Sequence, residues 1–249
     1  MDLQAVCVIW LRDMKRFFRD RTQIVVGSIR PITWLFFMGY GLSPSFRGPT
    51  GTQYTQFVLP GIVIMAVLFT AIQSAIGIIW DREFGFLKEV LVAPISRSSI
   101  VIGKAMGGTT LSVFQGAIVL VLAPLMHIHL SVLSCVESFA VMTGVSFSLS
   151  SLGITIASRM RSFEGFGAIM NFIVMPLFLL SGALFPLRGL PPWLYWCVRL
   201  NPVSYGVDLL RGSLLHETQY SPALSVGVLA GFAILMIASA VWQFNETDA

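Results

Sequence analysis

Six stretches of mostly apolar residues, each close to the roughly 20 that a membrane-crossing helix needs, constrain this chain more than any other feature. They cover residues 24–42, 57–80, 105–126, 132–158, 166–185 and 222–242, with polar or turn-rich segments between them. Only 11% of the 249 residues are charged and 55% are hydrophobic, with a mean hydropathy of +0.80. Soluble domains carry about 25% charged residues. A chain so poor in charge cannot cover a water-facing surface, so lipid is its better solvent. The fold class expected is an all-α integral membrane protein with six transmembrane helices, a single domain over residues 1–249.

Orientation follows from Lys and Arg in the short connections. Arg12, Lys15, Arg16, Arg19 and Arg21 precede the first stretch. Arg82, Lys88, Arg97 and Lys104 follow the second, and Arg159 and Arg161 follow the fourth. The opposite side has Arg47 in the first connection and Arg188, Arg199 and Arg211 in the long fifth. The short connections therefore place the N-terminus in the cytoplasm, and an even number of crossings puts the C-terminus there too.

Residues 1–22 read as a helix lying in the membrane surface. Leu3, Val6, Cys7, Trp10, Leu11, Met14, Phe17 and Phe18 recur at helical spacing, with Arg12, Lys15, Arg16 and Arg19 largely on the other face. The alternative is a cap packed on the rest of the protein. No A-x-A-like cleavage site follows, so the segment is not read as a signal peptide.

The second connection, residues 81–98, reads as a short cytoplasmic helix that starts at Asp81 and Glu83 and stops at Pro94. Ser96 or Ser98 caps the next helix. Charge on one side, and Phe84, Leu87, Val90 and Leu91 on the other, suit either a soluble partner or lipid headgroups. The fifth connection, residues 186–220, holds two short apolar segments divided by Asn201-Pro202. Neither can span, and Trp193, Tyr195, Trp196 and Tyr205 suit the headgroup belt, so re-entrant helices are expected on the outer side.

Motifs for chemistry are missing. The single Gly-Lys pair, Gly103-Lys104, lacks the rest of a Walker A loop, and His216-Glu217 lacks the second histidine of a zinc protease. Gly144-Val145-Ser146-Phe147-Ser148 falls short of a nucleophile elbow. Cys7, Cys135 and Cys197 lie far apart and read as buried apolar thiols. Neither a catalytic residue nor a metal ligand set is assigned, and no cofactor is expected in this chain. Ionisable and amide groups inside spans are costly and invite functional hypotheses. Arg30 lies about two turns into the first span, where it either has a role in the span or snorkels to the cytoplasmic side; Asn171, near the middle of the fifth, either lines a path or bonds across a helix interface; Glu137, at the outer end of the fourth, reads as reaching water. Gly103-x-x-x-Gly107 and Gly227-x-x-x-Gly231 permit close helix approach.

Three sets of residues together resemble the permease subunit of type-2 ABC exporters, the group that includes daunorubicin-resistance-like drug exporters and polysaccharide or lipo-oligosaccharide exporters. The first is Phe57-Val58-Leu59-Pro60-Gly61. The second is Lys88-Glu89-Val90-Leu91-Val92-Ala93-Pro94-Ile95-Ser96 with Gly103-Lys104. The third is Ser181-Gly182-Ala183-Leu184-Phe185-Pro186, then Leu190-Pro191-Pro192-Trp193-Leu194, Leu200-Asn201-Pro202 and Tyr205 through Arg211. The resemblance implies a homodimer in the cell inner membrane, each copy docking one separate ATP-binding subunit that carries ATP and Mg. It implies a coupling helix in which Asp81, Glu83, Phe84, Leu87 and Glu89 meet that subunit. It places Arg30, Trp34, Phe37, Asn171, Met175 and Phe178 on or near a path for an amphipathic drug, lipid or lipid-linked glycan. Two other classes stand beside it: an ion-coupled carrier and an intramembrane lipid or sugar transferase.

Overall fold

The computed structural model describes residues 2–42, 53–84, 96–160, 162–187 and 191–246, and every regular element in them is helical. Leu87 and Glu89 of the expected docking set lie outside the described residues, as do Arg47, Lys88, Arg161 and Arg188. Helix α1 (Leu3–Arg19) is capped by Asp2, whose side chain accepts from the Gln4 N–H, and α2 (Arg21–Leu42) follows after one residue. Next come α3 (Tyr54–Ser74) and α4 (Ile76–Glu83), joined through Ala75, then α5 (Arg97–Leu120) and a 3₁₀ turn at Ala123–Met126. The chain continues as α6 (Val132–Arg159), α7 (Phe163–Leu179), α8 (Pro192–Leu200), α9 (Pro202–Leu215) and α10 (Pro222–Glu246).

Four segments are long and apolar enough to cross a membrane: Arg21–Gly41, Tyr54–Glu83, Val132–Arg159 and Pro222–Asn245. At 24 residues α5 has the length, but it is rich in Ser, Thr and Gln. Most of those side chains face inward: Ser99, Thr109, Ser112 and Gln115 are buried, whereas Thr110 is exposed. Helix α7 is strongly apolar but only 17 residues long. The fifth apolar stretch extends to residue 185, but the helix stops at Leu179 and the chain turns through Gly182 at φ +74°, a backbone that favours glycine. The third apolar stretch covers residues 105–126. The helix that enters it starts at Arg97, capped by Ser96 as expected, and gives way before residue 126 to the Pro124-containing 3₁₀ turn.

Helix α3 is the centre of the molecule. It is apolar all round and buried from Tyr54 to Ile72 on nearly every side, as such a helix must be. Helices α2, α5 and α6 pack along it, with α9 over its N-terminal end. Helix α2 is the least covered of the long helices, and α10 is covered mainly by α6.

Helix α1 packs on the rest of the protein through part of its apolar face and leaves the remainder uncovered. Val6, Ile9, Met14 and Phe17 are buried, chiefly against α5, while Leu3, Leu11 and Phe18 stay exposed. Gly103 allows this seat, because a Cβ there would lie 3.0 Å from the Ile9 Cβ. At Gly107 it would lie 3.1 Å from an Asp13 carboxylate oxygen. The second small-residue pair behaves otherwise: among the described residues, nothing beyond its own helix backbone comes within 4 Å of a Cβ built at Gly227 or Gly231. Cys7 and Cys197 are exposed rather than buried, since they fall on the uncovered sides of α1 and α8.

The serines of α6 form a polar seam. Ser148 Oγ is shared between the Gly144 carbonyl of its own helix (2.8 Å) and the Leu229 carbonyl of α10 (3.0 Å). One heptad on, Thr155 Oγ1 donates to the Met236 carbonyl at 2.9 Å, and Ser158 Oγ bonds the Gln243 side chain. Partners advance together in number, so α6 and α10 run parallel and begin on the same face.

Candidate translocation cleft and docking corner

At the α1 face, four charges tie three helices together. Asp81 Oδ2 accepts from Lys104 Nζ at 2.9 Å and from Arg12 Nη2 at 2.7 Å. Asp13 Oδ1 accepts from Lys104 at 3.3 Å and lies 3.6 Å from Arg12. Lys104 is 6% exposed at the side chain and Asp81 12%, so the cluster is largely withdrawn from solvent. Lys104 reaches it beside Gly77, the small residue of α4. Arg82 donates to the Met160 and Ser158 carbonyls, both at 2.7 Å, satisfying the open C-terminal end of α6.

This geometry corrects the reading of the second connection. Asp81 and Glu83 end a helix rather than begin one, because the second apolar stretch continues through the break at Ala75 as α4. Asp81 points into the ion cluster, whereas Glu83 is exposed and Phe84 is 72% exposed. Trp80 stacks on Phe84 at 5.2 Å and meets Phe163 of α7 at 4.7 Å, with the Arg16 guanidinium 5.6 Å from its ring centre. Ser96 is the cap of α5, accepting from the Ser99 N–H at 3.3 Å.

Three adjoining cavities run from this corner into the helical body. One of about 250 Å³ lies beside Asp13, Arg16, Asp20 and Trp80. A second, about 300 Å³, lies between α2, α3 and α5 and shares Phe17, Asp20, Gln23 and Gln73 with the first. A third, about 200 Å³, lies between α3, α4 and α7 and shares Arg30, Phe69 and Gln73 with the second. Arg30 of α2 and Asn171 of α7 both line the third cavity. The Arg30 guanidinium lies 4.9 Å from the Phe69 ring centre. Beyond them Trp34 meets Phe178 edge-on at 6.5 Å. Phe37 (74% exposed) and Met175 (42%) face away on the uncovered surface.

Gln73, Phe69, Gln23 and Gln115 line these cavities and were not singled out from the sequence. Gln115 is tied to Ser28 at 2.6 Å.

On the face opposite α1, the resemblance motifs converge. A Cβ at Gly61 would lie 2.5 Å from the Ala183 carbonyl oxygen, so only glycine lets the turn after α7 rest on α3. Tyr54 Oη donates to the Leu184 carbonyl at 3.0 Å, and Asn201 Nδ2 donates to the Leu177 carbonyl at 2.7 Å. Arg211 Nη2 donates to the Gly182 carbonyl at 3.0 Å, with its guanidinium 4.1 Å from the Phe57 ring centre. Asp208 accepts from the Gln219 and Tyr220 N–H groups at 2.7 and 3.1 Å. Helix α9 is not one of the spanning helices. Burial pushes the Arg211 guanidinium down to about 10, against the pull of Asp208 and Glu217. Burial likewise raises the Asp208 carboxyl, opposed by its two backbone donors and Arg211.

A bundle of apolar helices around a buried central helix, cleft on one side and capped by two short helices, fits a multi-pass integral membrane protein. The chain belongs to the ABC-2 type transporter family, which matches residues 4–215. It is 31% identical to the transport permease ycf38 of Pyropia yezoensis, over 84% of this chain and 73% of that one. It is 28% identical to the inner membrane transport permease YadH of Escherichia coli K12, over 92% and 90%. It is 25% identical to nodulation protein J of Rhizobium leguminosarum bv. viciae, over 91% and 88%.

Proposed function

We propose that this chain is the membrane subunit of an ATP-driven exporter that moves an amphipathic substrate (drug, lipid or lipid-linked glycan) outward across the cytoplasmic membrane. The supporting observation is the cleft walled by Arg30 and Asn171, in a chain of the ABC-2 family. Residues 1–249 act as one permease domain of six crossings, with α5 and α7 completing the four longer spans and both termini cytoplasmic. Two copies pair, and each docks one ATP-binding subunit that carries ATP and Mg and performs the hydrolysis. Glu83, Phe84, Leu87 and Glu89 make that contact. Asp81 supports it from behind, by holding α4 to α1 and α5. Nucleotide drives export because the ATP-loaded partner binds one arrangement of α2 and α7 more tightly than the other.

The test is to tag the chain at its chromosomal locus, solubilise it mildly and identify what co-purifies. An ATP-binding subunit in equal amount is the expected result, and ATP-dependent uptake of an amphipathic dye by inverted vesicles completes it. An intact, folded chain that brings down no such subunit in several mild detergents would overturn the reading.

A further inference from the structure

We infer that Arg30 is a receptor for an anion, phosphate or carboxylate, carried as the headgroup of an amphiphile whose apolar part lies along α7. The inference deepens the transport reading and rests on it for the direction of entry.

Arg30 sits nine residues into α2, about 14 Å along its axis at 1.5 Å per residue. A cation at such depth costs about 2.5–3.5 kcal/mol on insertion scales. Among the described residues no carboxylate lies within ion-pair distance of it. Asp20, the carboxylate lining the same cavity, is ten residues earlier, about 15 Å away along the chain axis. Its Oδ1 accepts from the Gln23 N–H at 3.1 Å. Among the described residues the Arg30 guanidinium has the Phe69 ring as a partner but no hydrogen-bond or ion-pair partner, and that ring is worth roughly 1 kcal/mol, which leaves most of the cost standing. Arg30 is exposed on the thinly covered side of α2, so the cost arises where that side faces lipid, and among the described residues no anion offsets it.

The surroundings say what would neutralise it. A guanidinium lying on a ring face keeps its in-plane N–H fork free, and that fork matches two oxygens of a carboxylate or phosphate. Gln73 and Asn171 line the same cavity and supply further amide donors. Phe166, Met170 and Val174 of α7 make the rest of its wall apolar. One end is cationic and amide-lined, and the other suits a hydrocarbon chain. A neutral amphiphile would fill the apolar part but leave Arg30 unpaired. A small free anion would pair with Arg30 but leave the α7 wall empty. The adjoining cavities open this site toward the α1 face, the side from which a cytoplasmic or inner-leaflet molecule would come.

The experiment needs no ATPase. The full chain, purified in a neutral detergent, is titrated with dioctanoyl phosphatidate, dioctanoylglycerol and inorganic phosphate, and binding is read by native mass spectrometry. Phosphatidate should bind saturably, and Arg30→Gln should weaken it about tenfold or more, as expected for a lost charged hydrogen bond. Arg30→Lys should recover part of the affinity. Lys15→Gln, on the exposed part of α1, should leave affinity unchanged. Native affinity in Arg30→Gln, equal affinity for dioctanoylglycerol, or loss of binding in Lys15→Gln would each overturn the inference. Displacement by inorganic phosphate at equal concentration would overturn the amphiphile and leave a free-anion site. Should Arg30→Gln not survive purification, Asn171→Leu on the exposed side of α7 should weaken phosphatidate in the same direction, and unchanged affinity there would sink the proposal. Failure to recover an ATP-binding subunit would not alter these titrations, so the two readings fail separately.

Discussion

At Gly61 a single hydrogen atom decides how the molecule closes. Gly61→Ala drives a methyl group into the Ala183 carbonyl, which belongs to backbone and has no rotamer to yield. A loss of about 1–3 kcal/mol is expected, in the range of overpacked cores, and thermal unfolding in detergent measures it. Asp208 is the second decisive residue. Asp208→Ala removes a charged acceptor from two N–H groups and the nearest negative charge from the buried Arg211. A fall of about 2–3 kcal/mol should appear in the same assay. Sequence reading reached these residues unevenly. Pro60-Gly61 and Tyr205 through Arg211 stood out as motif words, yet nothing in a string of letters says that they share one contact with the turn at Gly182. Arg30 and Asn171 were legible because charge and amide are rare in lipid. Gln73 and Phe69, which complete their cavity, were not, since a glutamine near the end of a span ordinarily reads as a boundary.

Helices carry their own lesson. The long apolar runs were plain, because a spanning helix must satisfy its backbone internally and hydrophobicity then reports its extent. Ends were less legible where a break lies inside an apolar run, as at Ala75, or where apolar residues continue past the helix into a turn, as after Leu179. Lys104 illustrates why. In sequence it marked a loop, whereas in the structure it is buried on α5 and neutralised by Asp13 and Asp81. Lys104→Met should leave two carboxylates crowded around Arg12 alone and cost about 3 kcal/mol, with α1 loosened first. Limited proteolysis within residues 1–22 would show it as faster cleavage. The seam between α6 and α10 is weaker per contact. Thr155→Val should cost about 0.6 kcal/mol, typical of one interhelical hydrogen bond in a membrane protein. Measured with Ser148→Ala, seven residues away, the two losses should add.

The molecule as a whole divides into a well-buried body and a thinly covered side. Helices α3, α5, α6 and α9 make the body, while α2 and α7 border the cleft and show much of their surface. A moving part is expected among the elements with fewest buried contacts. Glu83→Arg tests the docking corner at this scale. It should reduce recovery of the ATP-binding subunit severalfold while leaving the unfolding temperature of the chain within about a degree, because exposed charge contributes little to the fold. The seam between α6 and α10 also bears on how this chain diverges over time. Its hydroxyl donors sit on α6, but their acceptors are the carbonyls of residues 229 and 236, which every amino acid carries. Mutation at Leu229 or Met236 can change the side chain without touching the rung, whereas loss of the hydroxyl at 148 or 155 removes it. At these two rungs the helices therefore drift under unequal constraint, α10 free to change its letters while α6 keeps the grip; only the third rung, Ser158 to the Gln243 side chain, binds α10 to a particular residue.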